Sequence, residues 1–587
     1  MVPDPHLTRL FLRQFIENDF ISPDADRLQA LSQACAMLIT GGLFVSILLS
    51  LPYLSSPYAM PSRTAAQMIR VQFLYAAWSM VAMAIVAVSV WDALSLDSRD
   101  TEILGPLPVR AVVIVRAKVW ALVLFAAGFA AALNVIPAMI HPLAAVSRLR
   151  PGMSDVATLI VAHITSTTAA AAFGFATVLG LREVLHGVLG TAAFRRTSLI
   201  VRAGLVVGLV TTLLLIPVMS FRIVNLWLHG AIRADLLPPM WFVGLHDVMS
   251  GHVWAQLPRP DLPPPVAMSE RAFEFMYQSR RPLLRQLGVI GGGTFLALLL
   301  ATAAAYFWNN RRLPEPPFSR AREGRRSAVV DAIALRAFAR PPLVRAGFFF
   351  TMRVLGRSVQ NRLPIAIALA VAIAVAAVSL VPAWTSASFD VSSAPVRLSA
   401  VQLLLVAAVL AGFRHSIRVP ADLRARWLFH LIRPADRAAY LAGVRRAAVV
   451  RLVLPVLTAL LPLHVLVFGP QTAILHFFFG LLSALVLRNA LLLGYPRLPF
   501  ASSYVPTEEM TTYGSIYASI FLVSVYTVAW LEHLALSTTS GTVVLFVVTG
   551  SLFGVIRGIG IWQSRAPVEV ALDEVVEPPT LRLGLSD

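Results

Sequence analysis

Val119-Trp-Ala-Leu-Val-Leu-Phe-Ala-Ala-Gly-Phe-Ala-Ala-Ala-Leu-Asn-Val-Ile-Pro-Ala-Met139 runs for 21 residues without a charged side chain. A helix of about 20 apolar residues, rising 1.5 Å per residue, crosses ~30 Å of bilayer hydrocarbon. Similar runs occur at about 31–53, 71–93, 157–180, 199–221 and 287–308, and again at about 363–384, 398–414, 449–468, 472–494, 513–534 and 541–561. The run at 398–414 is the shortest. The period-two alternation of a membrane β-barrel is absent. The pattern predicts an all-α membrane protein with about twelve transmembrane helices.

Composition agrees. Of 587 residues, 57% are hydrophobic and 13% charged, with a mean hydropathy of +0.74. Soluble domains sit near half apolar and a quarter charged. The one cysteine, Cys35, excludes an internal disulfide and a cysteine-based metal site. No signal peptide is read in the first 30 residues, which carry acids and lack an apolar core before a cleavage site.

The net charge of +19 reads as topology, with no nucleic-acid partner. With a cytoplasmic N-terminus, the inner loops and their adjoining turns collect 36 of the 49 basic residues. The short outer loops hold Arg63, Arg70, Arg148, Arg150 and Arg397. The long segment 222–286 holds seven more, but long loops escape the positive-inside rule. Both termini are therefore expected in the cytoplasm.

Segment 309–362 carries twelve arginines and Pro314, Pro316 and Pro317, the composition of a linker. It divides the chain into an N-terminal half at 1–312, a basic linker at 313–344, a C-terminal half at 345–565 and an acidic tail at 566–587. An even number of spans per half makes the two six-helix repeats parallel. Each half opens alike. Leu7, Leu10, Phe11, Phe15 and Ile16 alternate with Arg9 and Arg13, while Phe348, Phe349, Phe350, Met352 and Leu355 alternate with Arg345, Arg353 and Arg357. That spacing suits a helix lying in the inner interface.

The segment after the second span carries Asp97, Asp100, Glu102, Leu104, Pro106, Pro108, Arg110 and Lys118, and with Asp92 it holds four acids in a region where basic residues are expected. Its counterpart in the second half carries Asp422, Arg424, Arg426 and Trp427. The stretch from Asp100 through Leu104, Pro106, Leu107, Pro108 and Val109 to Ala117-Lys118 resembles a segment of bacterial ABC type-2 exporter permeases. That resemblance implies six spans per half, an interfacial helix before the first, and a coupling element that docks on a separate, dimeric ATP-binding subunit in the bacterial inner membrane. The second half lacks the leucine-proline-valine core. Within 222–286, Pro239, Trp241, Phe242 and Gly244 resemble the element at the outer mouth of such permeases.

Catalysis is not expected. The only lysine, Lys118, follows Ala117, so no Walker A loop exists and ATP hydrolysis falls to the partner. No cofactor is expected in this chain. No histidine pair has zinc-protease spacing, and the spacing of His246, Asp247 and His252 matches no zinc pattern. His163, Asn134, His476, Arg488 and Asn489 lie within spans, whereas Glu532-His533 at an outer span end is given no role. Two other classes fit the two-half plan: a secondary transporter of twelve spans, which calls for intramembrane carboxylates, and a non-transporting scaffold.

Overall fold

The computed structural model describes residues 4–16, 27–55, 58–91, 93–94, 110–149, 151–257, 262–310, 341–385, 395–419, 437–493, 499–500 and 508–564. Among these residues every regular element is a helix. Eleven helices are long and apolar enough to cross a membrane, and Leu38–Leu54 is a shorter apolar helix. The chain is a multi-pass, all-α membrane protein. It forms two compact units, Met1–Ser319 and Arg320–Asp587.

The first unit contains α1 (Pro5–Ile16), α2 (Arg27–Ser55), α3 (Pro61–Ser89), α4 (Ala111–Val146), α5 (Met153–Leu228), α6 (Pro238–Gln256) and α7 (Pro264–Asn310). Two of these depart from the sequence expectation. The fourth and fifth spans belong to one 76-residue helix broken only at Gly190, whose φ of 70° and ψ of 166° leave the helical region. Its first leg, Met153–Gly190, has 38 residues and so measures roughly 57 Å, well beyond the hydrocarbon. Helix α7 likewise begins far ahead of the apolar run at 287–308. Its early turns pack with α6 and the ends of α3 and α5 around Trp227, Met240, Val243, Tyr277, Leu284 and Leu287. Most of segment 222–286 is thus a folded cap with a core of its own.

Polar side chains join the helices inside this unit. Gln72 of α3 donates to Ser166 of α5 at 2.6 Å, and Ser79 donates to Asn134 of α4 at 2.6 Å. A Cβ on Gly174 would lie 2.0 Å from the Met80 carbonyl oxygen, so glycine permits this crossing of α3 and α5.

The second unit contains α8 (Pro342–Arg357), α9 (Val359–Thr385), α10 (Pro395–Ser416), α11 (Arg437–Ala448), a π turn at Val449–Val453, α12 (Leu454–Phe468), α13 (Pro470–Leu491), α14 (Glu508–Leu536) and α15 (Thr539–Ser564). The segment that sequence left shortest, 398–414, sits in α10, the most enclosed span of the unit. Val401, Leu404, Leu405 and Val409 of α10 are all buried. By contrast, α15 exposes Val543, Val547, Val548, Val555 and Trp562. Such an apolar exterior costs nothing in hydrocarbon, where packing and polar pairing select the interior.

Helices α8 and α11 cross through two glycines. A Cβ on Gly443 would lie 2.1 Å from the Val344 carbonyl oxygen, and one on Gly347 would lie 2.3 Å from that of Tyr440. Gly443→Ala is expected to lower the thermal stability of the purified chain by about 1–3 kcal/mol through overpacking. Gly554→Ala, whose Cβ meets nothing within 4 Å, should gain up to ~1 kcal/mol from helix propensity. Melting curves in detergent that rank the two variants the other way contradict the crossing.

Candidate functional site

Of the residues expected to dock a partner, Asp97, Asp100, Glu102, Leu104, Pro106 and Pro108, with Asp422, Arg424, Arg426 and Trp427, lie outside the described residues. The roots of both loops are described. Where α3 ends, Trp91 and Leu94 are buried. Arg182 Nε donates to the Trp91 carbonyl at 3.0 Å while its guanidinium pairs with Glu183, and the Trp91 indole donates to Ser198 at 2.9 Å. Asn309 of α7 donates to Glu183 Oε2 at 2.9 Å and closes the clamp. Where α4 begins, Arg110 occupies the N-cap position and is exposed, whereas Lys118 is fully buried with Nζ 5.1 Å from the centre of the Phe11 ring. Thus α1 lies beside the returning helix, and the tilted rings of Phe15 and Phe125 have their centres 5.8 Å apart.

The second unit pins its loop comparably. Asn361 of α9 donates to the carbonyls of Ser416 and Val419 at 3.1 and 3.0 Å, and the Phe500 amide donates to Ile417 at 2.7 Å. Helix α8 packs on the returning α11.

The residues singled out in the outer segment fall on α6. Pro239 stands in its first turn, and the Trp241 indole donates to the Asp235 carbonyl at 2.9 Å. Phe242 is fully buried, 5.5 Å from Phe173 and 6.4 Å from Phe295. A Cβ on Gly244 would lie 2.3 Å from the Leu284 carbonyl oxygen, so α6 and α7 touch backbone to backbone.

Two groups of buried titratable side chains were not anticipated. In the first unit Tyr53, His141, Tyr75, His163 and His246 make a chain of rings, with His141 5.4 Å from Tyr53 and 5.6 Å from His163, and His163 6.4 Å from His246. Tyr75 bridges His141 and His163 at 5.3 and 5.1 Å, donates to Ser46 at 3.1 Å, and leaves the His141 Nε2 to contact Met68 Sδ at 3.0 Å. Both ring nitrogens of His163 and the Tyr53 hydroxyl are buried without a hydrogen-bond partner. In the second unit His476 Nδ1 pairs with Glu532, and His464 lies 4.6 Å from the His476 ring. Glu532, at the outer end of its span as the sequence reading placed it, is fully buried. The signal in sequence was a histidine on either side of the Gly469-Pro470 turn. The exposed His252 stands apart from His246 and Asp247, and no three-residue metal-holding group occurs among the described residues.

On α6, outside the spans, Asp247 accepts from the Tyr277 hydroxyl at 2.6 Å and faces Arg281 at 3.8 Å. Burial raises its carboxyl, opposed by the Tyr277 hydrogen bond and by Arg281 and Arg285. Burial pushes the neighbouring His246 down to about 4.

Comparison with protein-family models, with curated proteins and with solved structures gives no match. The site is therefore read from its own chemistry.

Because His246 binds its proton less tightly when folded than the ~6.5 of a free imidazole, the unfolded chain holds the extra proton between those two values. Its contribution is full above pH ~6.5 and is lost as pH falls toward 4. His246→Gln should remove this component, at most about 3 kcal/mol, from the pH dependence of unfolding. Asp247 has the opposite sign, its raised carboxyl favouring the folded state as pH falls. Asp247→Asn should therefore steepen the acid-side loss, and parallel curves for wild type and both variants contradict these assignments.

Proposed function

We propose that this chain is the membrane-spanning permease subunit of an ABC-type exporter, with both six-helix halves fused in parallel orientation. Its termini lie in the cytoplasm of a bacterium, and the membrane is the inner one. A separate ATP-binding subunit, acting as a dimer, supplies the energy, and the loops at 92–118 and 420–446 receive it.

The observation that carries this reading is the matched rooting of those two loops. In each unit an amphipathic helix packs beside the helix that returns from the loop, α1 on α4 and α8 on α11. In each unit the departing end is held by a polar side chain from another helix, Arg182 on Trp91 and Asn361 on Ser416 and Val419. A force applied at a loop rooted this way passes into the helix bundle and is not absorbed at a hinge. The residues of this chain offer no phosphate cradle, so hydrolysis belongs to the partner. Cargo contacts span faces, and α6 with Trp241 and Phe242 covers the outer mouth.

One observation favours a second reading, a twelve-span secondary transporter. Glu532, buried against His476, is the intramembrane carboxylate that such a mechanism requires.

The two readings part on association. The tagged chain should co-purify with an ATP-binding subunit encoded beside it and raise that subunit's ATPase rate. Asp100→Ala combined with Pro108→Ala should cut recovery at least about tenfold, equivalent to ~1.4 kcal/mol of docking energy. Purification of the chain free of any ATP-binding protein, with the double variant indistinguishable from wild type, ends the permease reading.

A further inference from the structure

Three helices of the second unit bring three titratable side chains to one place. His464 stands four residues before the end of α12, His476 six residues after the start of α13, and Glu532 four residues before the end of α14. At 1.5 Å per residue all three lie roughly 6–9 Å below the same end of the bundle. His464 and Glu532 are fully buried and His476 is 1% exposed. Phe468 screens both imidazoles, with ring centres 5.7 Å from His464 and 5.9 Å from His476.

The cluster exceeds what packing needs. One histidine suffices to neutralise Glu532, yet a second stands against the first. Four polar atoms, His464 Nδ1 and Nε2, His476 Nε2 and Glu532 Oε2, are buried without a hydrogen-bond partner. Each such atom costs about 1–3 kcal/mol, a burden that apolar side chains of the same shape would remove. An unpaired polar cluster of this kind is explained by what it exchanges or holds.

The backbone around it is built to hold position. Gln402 of α10 donates to the His476 carbonyl at 2.9 Å, and a Cβ on Gly480 would lie 2.1 Å from Gln402 Nε2, so α10 and α13 meet closely beneath the imidazole. Among the described residues the ion pair of this cluster is His476 with Glu532. Helix α10 brings Gln402, its nearest charged residue in sequence being Arg397; α15 brings Leu545 and Phe546 to the adjoining apolar cluster; the neighbouring His533 of α14 is exposed.

The same placement occurs in the first unit. His141 stands near the end of α4 and His163 in the early part of α5, their rings 5.6 Å apart. Gln72 of the preceding helix α3 ties down that second helix through Ser166, as Gln402 does through His476. Around this pair stand Tyr53, Tyr75 and His246, with Arg70 acting on Tyr53, and Asp247 beside His246 in sequence pairs with Tyr277 and Arg281.

We propose that His464, His476 and Glu532 form a buried proton-binding site, with one proton held between Glu532 and His476 Nδ1 and a second exchanged with His464. The exchange is acid–base only: a water between the rings takes the proton of His476 Nε2 and gives one to a ring nitrogen of His464, while the shared proton passes to His476 Nδ1 and leaves Glu532 a carboxylate. Charge moves by one proton and no electron is transferred. His141 and His163 are its counterpart in the first unit. The site operates under either reading of the function, since it involves neither the partner nor the cargo.

The test is infrared pH titration of the purified full chain in liposomes. The spectrum of wild type minus Glu532→Gln isolates one carboxyl group, which is expected to show a carboxylic-acid C=O stretch that titrates and shifts on ¹³C-glutamate labelling. His464→Gln should displace its midpoint by about one pH unit or more, the mark of coupled titration. If Glu532→Gln fails to fold, Glu532→Asp keeps the carboxyl and moves the band. A difference spectrum without a carboxyl band, or one whose midpoint is the same in His464→Gln, overturns the proposal.

Discussion

Hydrocarbon offers no hydrogen bonds, so each polar group carried into it must be satisfied within the protein or accounted for by function. Helices meet that demand for the backbone, which is why every described regular element is helical. For side chains the demand selects partners across helices: Gln72 with Ser166, Ser79 with Asn134, Asn361 with the carbonyls of Ser416 and Val419, and Gln402 with His476. These few contacts, with the glycine crossings at Gly174 and Gly443, set which helices touch. The apolar surface left outside is the surface lipid wets, and α15 shows it most plainly.

The same constraint makes the exceptions informative. Polar atoms buried without partners are scattered through both units, Asn361 Oδ1, the Tyr440 hydroxyl and Arg445 Nε among them, but two sets bring several titratable side chains together, around His163 and around His464. A third buried polar group, Arg182 with Glu183, is fully engaged by Trp91 and Asn309 and reads as a structural clamp. The difference between the clamp and the two histidine clusters is satisfaction, not charge.

Apolar run length made the class of the protein legible, and arginine distribution suggested its orientation. What run length could not register is helix beyond the membrane. The stretch between 180 and 199 looks like a loop because Arg182, Glu183, Arg195 and Arg196 interrupt the apolar run, yet the helix continues to Gly190 and resumes toward Leu228. Arg182 counted as a loop cation and is buried. The cap formed by α6 and the early turns of α7 was invisible for the same reason: its core comes from Trp227, Tyr277 and Leu284, scattered among prolines and arginines. The burial of Glu532 was not legible because a carboxylate near a span end is ordinarily solvated, and only the approach of α13 places His476 against it. Of the candidate site residues, Lys118 and Phe242 are fully buried and Gly244 meets the backbone of α7, an enclosure that their positions in the sequence did not announce.

Under the permease reading proposed above, force would pass from the matched roots of the two loops into the long helices beside them, α5, broken only at Gly190, and α7. The whole account rests on both units placing corresponding helix ends on the same side of the membrane. Single cysteines introduced into a Cys35→Ser chain, probed with a membrane-impermeant maleimide on intact cells and after lysis, test this directly. Ser147→Cys and Ser537→Cys should label from outside, while Val188→Cys and Gly356→Cys should label only after lysis. Labelling of Ser147→Cys and Val188→Cys from the same side, or of Gly356→Cys on intact cells, contradicts it.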